Sequence, residues 1–253
     1  LILLNFAIRA GQSGEAEQVR PGGAPTSEAP LRNDLFLEEA PRAHQVVLQP
    51  VAAMLAIILT GSVFGGEYGD GTVRTLLMCV KRRWHVVGAK LAAVAILVAV
   101  GVGLALALGY GGALVLAAAT GGAEFTFLDG AYVGEALVGA LAVMSGVLPY
   151  AALAAAGAVI GRSTAAGVAP GLALYVVEVV SLPILVALGG RYEEVVNYLP
   201  TINAQVLLQH VHAENIQEEV PSAVHNLAVL AAYVVVGAGA ALAVFQRRDV
   251  TTG

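Results

Sequence analysis

Few residues in this 253-residue chain have the type and setting to do chemistry, and Glu178 stands apart among them as the one charge interrupting the apolar run 163–190. A carboxylate in such a run is costly to bury. It can carry a proton, bind a cation or line a polar pathway, and Glu178 is therefore a candidate pathway residue. The structural alternative is a carboxyl group hydrogen-bonded to a neighbouring helix, or one close enough to the outer surface to be wet. His210 and His212 are two residues apart and do not share a helix face, so no metal site is expected there. The single cysteine, Cys79, excludes an intrachain disulfide. Residues 157–164 read Gly-Ala-Val-Ile-Gly-Arg-Ser-Thr, with the outline of a phosphate loop. The spacing is one residue short, Arg162 stands where a lysine is needed, and apolar runs flank it in place of a strand and a helix. No Ser/His/Asp or Cys/His arrangement stands out. The chain is expected to have no catalytic residue, no cofactor and no ATP hydrolysis of its own.

The elements that hold these residues are set by composition. Hydrophobic residues make up 58% of the chain and charged ones 12%, against about 25% charged in soluble domains. That leaves too little polar surface for a water-soluble globule of this size, so lipid is the natural solvent. A net charge of −5 gives no support to a nucleic-acid partner. A bilayer core about 30 Å thick needs about 20 apolar helical residues, and the runs 46–66, 86–110, 136–161, 163–190 and 224–246 qualify. The uncharged stretch continues to residue 123, and the Gly109-Tyr110-Gly111-Gly112 cluster is expected to end or kink its helix. Residues 1–9 read as the end of a first span. The runs are continuously apolar and lack the alternation of a membrane barrel, and in lipid the backbone must satisfy its own hydrogen bonds. The expectation is an all-α membrane protein: one domain over 1–253, a six-helix bundle whose first helix is incomplete.

The connections alternate in charge. The loop 10–45 is long and polar, with three Arg against at least five acids. Segment 67–85 is basic, the loop around 120–135 acidic, the turn Gly161-Arg162-Ser163 basic, residues 190–223 acidic, and Arg247-Arg248 basic again. Positive residues favour the cytoplasmic side. The topology expected is a multi-pass cell-membrane protein with both termini cytoplasmic. Residues 33–39 are expected to form a short outer helix. Ala204, Leu207, Leu208 and Val211 share one face of another amphipathic helix at the outer surface.

Segment 67–85 carries the most information. Gly69 and Gly71 permit a sharp turn, and Asp70 or Thr72 can cap a helix start. Val73, Leu76, Leu77 and Val80 then recur on one helical face. Lys81–Arg83 close the helix where cations suit its C-terminal dipole and anionic headgroups, and Trp84 marks the interface. A short amphipathic helix along the cytoplasmic face either anchors the bundle or docks a soluble partner.

This segment resembles the membrane subunits of the ABC-2 transporter family, in which a Glu-Tyr-x-x-Gly-Thr-x-Arg-x-Leu-Leu run follows the second membrane helix. The matches are Glu67, Tyr68, Gly71, Thr72, Arg74, Leu76 and Leu77, then the basic Lys81–Arg83 with Arg82 at its centre, and Gly88-Ala89-Lys90 opening the next helix. Gly161-Arg162-Ser163, Tyr198-Leu199-Pro200 and Phe245-Gln246-Arg247-Arg248-Asp249 resemble other parts of the family pattern. The incomplete first helix and the polar loop 10–45 depart from it. The resemblance implies a permease paired with a second permease subunit, identical or different, and with ATP-binding ABC subunits. Segment 67–80 would be the coupling helix seated on the ATPase, with Glu67 and Arg74 holding it in register. Export by alternating access is the implied mode. Two other readings are a non-transporting membrane scaffold and an ion-coupled secondary transporter using Glu178.

Overall fold

The computed structural model describes residues 40–79, 83–119, 130–188, 191–211 and 221–247. Among them every regular element is a helix: α1 Ala40–Gly69, α2 Thr72–Cys79, α3 Arg83–Ala119, α4 Gly130–Gly161, α5 Thr164–Leu188, α6 Arg191–Val196, α7 Pro200–Val211 and α8 Ala223–Arg247. The expected end of a first span, the short helix at 33–39, most of the loop 10–45, and Val80, Lys81 and Arg82 lie outside the described residues. Five helices are long and apolar enough to cross a bilayer, α1, α3, α4, α5 and α8. The chain is an all-α membrane bundle.

Helix α4 is the axis of the bundle. It packs against α1, α3, α5, α7 and α8, and its Val143, Val147, Ala154, Ala155 and Ala158 have no exposed surface. Small side chains bring the neighbouring backbones close. A Cβ added to Gly167 of α5 would sit 2.8 Å from the Gly61 Cα of α1. One added to Gly237 of α8 would sit 2.8 Å from the Ala152 backbone carbon of α4. Apolar side chains turned away from α4, such as Leu104, Leu108, Val177 and Val236, are exposed. That is the pattern of helices whose outer faces meet lipid.

The connection from α4 to α5 is two residues long, Arg162 and Ser163. Arg162 takes a left-handed conformation, φ 54°. The Ser163 hydroxyl accepts the Ala166 N–H at 3.1 Å and so caps α5. Helix α3 does not stop at Gly109–Gly112; it runs on to Ala119. There the His44 ring of α1 lies on Gly109 and tilts against the Tyr110 ring at 5.3 Å. Gln45, with no exposed surface, donates to Tyr110 Oη and to the Ala136 carbonyl, each at 3.2 Å. Tertiary contacts hold the glycine-rich turns helical where propensity alone would release them.

Candidate functional site

Two polar assemblies stand out, one at the elbow end of the bundle and one deep in its other half. The first is built where α1 ends. Asp70 N–H bonds back to the Gly66 carbonyl at 2.9 Å, and Gly71 adopts φ 69°, a left-handed turn that needs glycine. Only Asp70 and Gly71 separate α1 from α2. The Thr72 hydroxyl does not cap α2; it donates to the Glu67 carbonyl at 3.4 Å. Tyr68 lies on the last turn of α1. Arg74, Leu76 and Leu77 lie on α2, whose Thr75 and Met78 are exposed.

The Glu67 carboxylate pairs with Lys90 of α3, Nζ to Oε2 2.6 Å. Lys90 also donates to the Val63 carbonyl at 2.9 Å, and its ammonium lies 5.1 Å from the centre of the Phe64 ring. One cation thus meets the C-terminal end of α1, where the helix dipole favours it, and ties α1 to the start of α3. The result is an elbow, α2, suspended between two helices that are strapped together at its base. The sequence reading centred on Glu67 and Arg74 and missed Lys90 as the partner of Glu67. The signal was present in Gly88-Ala89-Lys90, which brings a lysine into the first turns of the helix after the elbow.

The second assembly surrounds Glu178, deep in the half of the bundle away from the elbow. Glu178 is 1% exposed, ten residues inside the end of α5, a depth of about 15 Å at 1.5 Å per residue. Its Oε2 accepts the Thr201 N–H at 2.8 Å and the Tyr150 hydroxyl at 3.0 Å. With its proton given to the carboxylate, Tyr150 accepts from the Thr201 hydroxyl at 2.8 Å. Thr201 is in the first turn of α7. The carboxylate therefore meets a helix N-terminus, whose free N–H groups and dipole favour an anion.

The amphipathic helix read at 204–211 keeps its apolar face, with Ala204, Leu207 and Leu208 buried. Its first turn is sunk into the bundle beside Glu178. The chain leaves α5, forms α6, turns at Asn197–Leu199 and comes back outward as α7, a re-entrant hairpin between α4, α5 and α8. Irregular backbone at such a depth is tolerated only where protein groups satisfy it. Asn203 Nδ2 donates to the Asn197 and Leu199 carbonyls at 2.9 and 2.8 Å. His225 Nε2 meets the Asn197 carbonyl at 3.1 Å, and the Tyr233 hydroxyl donates to the Tyr198 carbonyl at 3.3 Å. Sequence reasoning missed Tyr150, Thr201, Asn203, His225 and Tyr233 as this set. Of the histidine pair, His210 meets the Pro221 carbonyl at 2.9 Å, and His212 lies outside the described residues.

The described residues thus form a multi-pass helical membrane bundle with a glycine-turned elbow and a re-entrant hairpin. A family model for ABC-2 family transporter proteins matches residues 3–250, and the chain belongs to that family. Membership makes it a permease subunit of an ABC transporter, in a family that works with an ATP-binding ABC subunit and is not itself catalytic. No curated protein and no solved structure matches the chain.

Proposed function

We propose that this permease couples to a separate ATPase through the elbow 67–85 and exports its substrate by alternating access. The elbow faces the cytoplasm in this reading, as its Arg74, Lys81, Arg82 and Arg83 favour, and both termini are cytoplasmic. A second permease subunit, identical or different, completes the pathway, and lipid surrounds the pair. One observation carries the reading: α2 is joined to α1 by two residues, and the Glu67–Lys90 pair closes its base. A short helix on so stiff a mount passes an applied displacement to the spans, in place of absorbing it in a loose loop. Glu67, Tyr68, Gly71 and Thr72 build the mount. Arg74, Leu76, Leu77 and Arg82 are the further coupling residues in this reading. Replacing Arg74 by Ala or Glu67 by Gln in the purified complex lowers transport-coupled ATPase activity severalfold. Unaltered coupling in both variants overturns the docking role of the elbow.

A second reading rests on Glu178. One of its oxygens, Oε1, is buried with no hydrogen-bond partner, a feature that suits a group on an ion or substrate path. An ion-coupled transporter using Glu178 works without nucleotide. Transport by reconstituted permease lacking any ATPase is its test, and strict dependence on ATP excludes it.

A further inference from the structure

Glu178 touches the one place where the re-entrant hairpin enters the bundle, and α5, which carries it, is bound to the helix that carries the elbow. The α1–α5 contact runs over several turns of near backbone-to-backbone approach. A Cβ on Gly61 would fall 2.7 Å from Val168 Cγ2, and one on Gly171 would fall 3.1 Å from Ile57. At Gly65 it would overlap the Thr164 nitrogen. Helices interlocked so closely do not slide past one another without unpacking, so α1 and α5 form one body.

Helix α4 packs on both of them, and α7 packs on α4 and α8 while its direct contact with α1 and α5 is light. The hydrogen bond from Thr201 N–H to the Glu178 carboxyl group links α5 directly to α7, and Tyr150 of α4 braces it. We propose that Glu178 is a pin: its carboxylate fastens the N-terminus of the re-entrant helix α7 to α5, so that a displacement entering through α1 reaches the far side of the membrane. The proposal rests on the coupling reading of the elbow for the source of the motion, and on the geometry alone for the pin. Glu178 is then a positioning residue, acting through α7, and its acceptor oxygen matters more than its charge. Gln keeps an acceptor oxygen in that place and Ala does not.

The test uses the intact transporter with its ATPase in nanodiscs, in a Cys79→Ser background with Leu208→Cys on α7. Leu208 is 1% exposed, so an impermeant maleimide reacts slowly until α7 lifts. The proposal predicts that Glu178→Ala raises the labelling rate at least about tenfold, the factor expected on losing the two hydrogen bonds that Oε2 accepts. Glu178→Gln stays within about threefold of the parent on the same reasoning. Trapping nucleotide with vanadate changes the labelling rate in the parent and in Glu178→Gln, and not in Glu178→Ala. Should Glu178→Ala fail to assemble, Tyr150→Phe keeps the volume, removes one donor and raises labelling severalfold. Labelling and nucleotide response in Glu178→Ala or Tyr150→Phe equal to the parent overturn the pin. A parent that does not respond to trapping, while its elbow still crosslinks to the ATPase, also overturns it and leaves the coupling reading intact. Loss of the elbow crosslink alone overturns the coupling reading, and the labelling rates of the variants still decide the pin.

Discussion

At the scale of single residues, Glu178 and Lys90 are charge-bearing side chains of the spans that each meet groups suited to them. An ionisable side chain at the centre of a bilayer costs roughly 3 kcal/mol on insertion scales. Glu178 offsets this with two donors and a helix N-terminus. Lys90 sits near the elbow end with a carboxylate, a carbonyl and an aromatic face around it. The two assemblies predict different responses to charge. The Glu67–Lys90 pair has only 14% and 28% of its side-chain surface exposed, for Lys90 and Glu67 respectively, so neither charge is easily rescued by water. Lys90→Glu alone places two carboxylates together and lowers coupled ATPase activity by about tenfold, roughly what 1.4 kcal/mol of lost coupling produces. The exchanged pair Glu67→Lys with Lys90→Glu restores a substantial part of it. A double variant no better than the worse single one contradicts a direct pairing. At Glu178 no such exchange is needed, because Gln retains the acceptor.

At the scale of elements, packing and not propensity decides where the glycines are needed. Gly65 meets the Thr164 and Ser163 backbone, whereas the adjacent Gly66 has open space around its Cα. Gly65→Ala therefore forces α1 and α5 apart and lowers stability by about 1–3 kcal/mol. Gly66→Ala leaves stability unchanged or raises it by about 0.5–1 kcal/mol through helix preference. Thermal unfolding of both variants in detergent separates the cases, and equal losses at the two positions contradict the close α1–α5 contact. The long apolar helices were legible in the sequence because length and hydrophobicity suffice to mark them. The Gly61/Gly65 and Gly167/Gly171 pairs, small residues four apart, make the flat stripes on which α1 and α5 meet. The continuation of α3 past Gly112 was hidden, since the stabilising contacts come from His44 and Gln45 far away in the chain. The depth of α7 was hidden too. Ala204, Leu207 and Leu208 give the same pattern whether a helix lies on the surface or dips inward. Only the bonds from Glu178, His225 and Tyr233 to residues 197–201 distinguish the two, and bonds of side chain to distant backbone leave no periodic mark.

For the whole molecule, the account describes a lever system: an elbow at one end, a re-entrant hairpin at the other, and an interlocked pair of spans between them. The family supplies the class of machine. The coupling role, the direction of transport and the orientation follow from the proposal. Orientation is checked with Val224→Cys, at an exposed position in the first turn of α8, in a Cys79→Ser background. An impermeant maleimide added outside intact cells labels that position and leaves Met78→Cys on α2 unlabelled until the membrane is opened. Reversed labelling would place the elbow on the wrong side for a cytoplasmic ATPase. The most direct test of the central claim is crosslinking from the elbow in the intact complex, using Met78→Cys, whose parent side chain is 80% exposed, with a short heterobifunctional photoreagent. The account predicts a covalent adduct with a copurifying ABC ATPase subunit, its yield changing when nucleotide is trapped. An elbow that crosslinks only to lipid, with the ATPase present and active in the same sample, would contradict it.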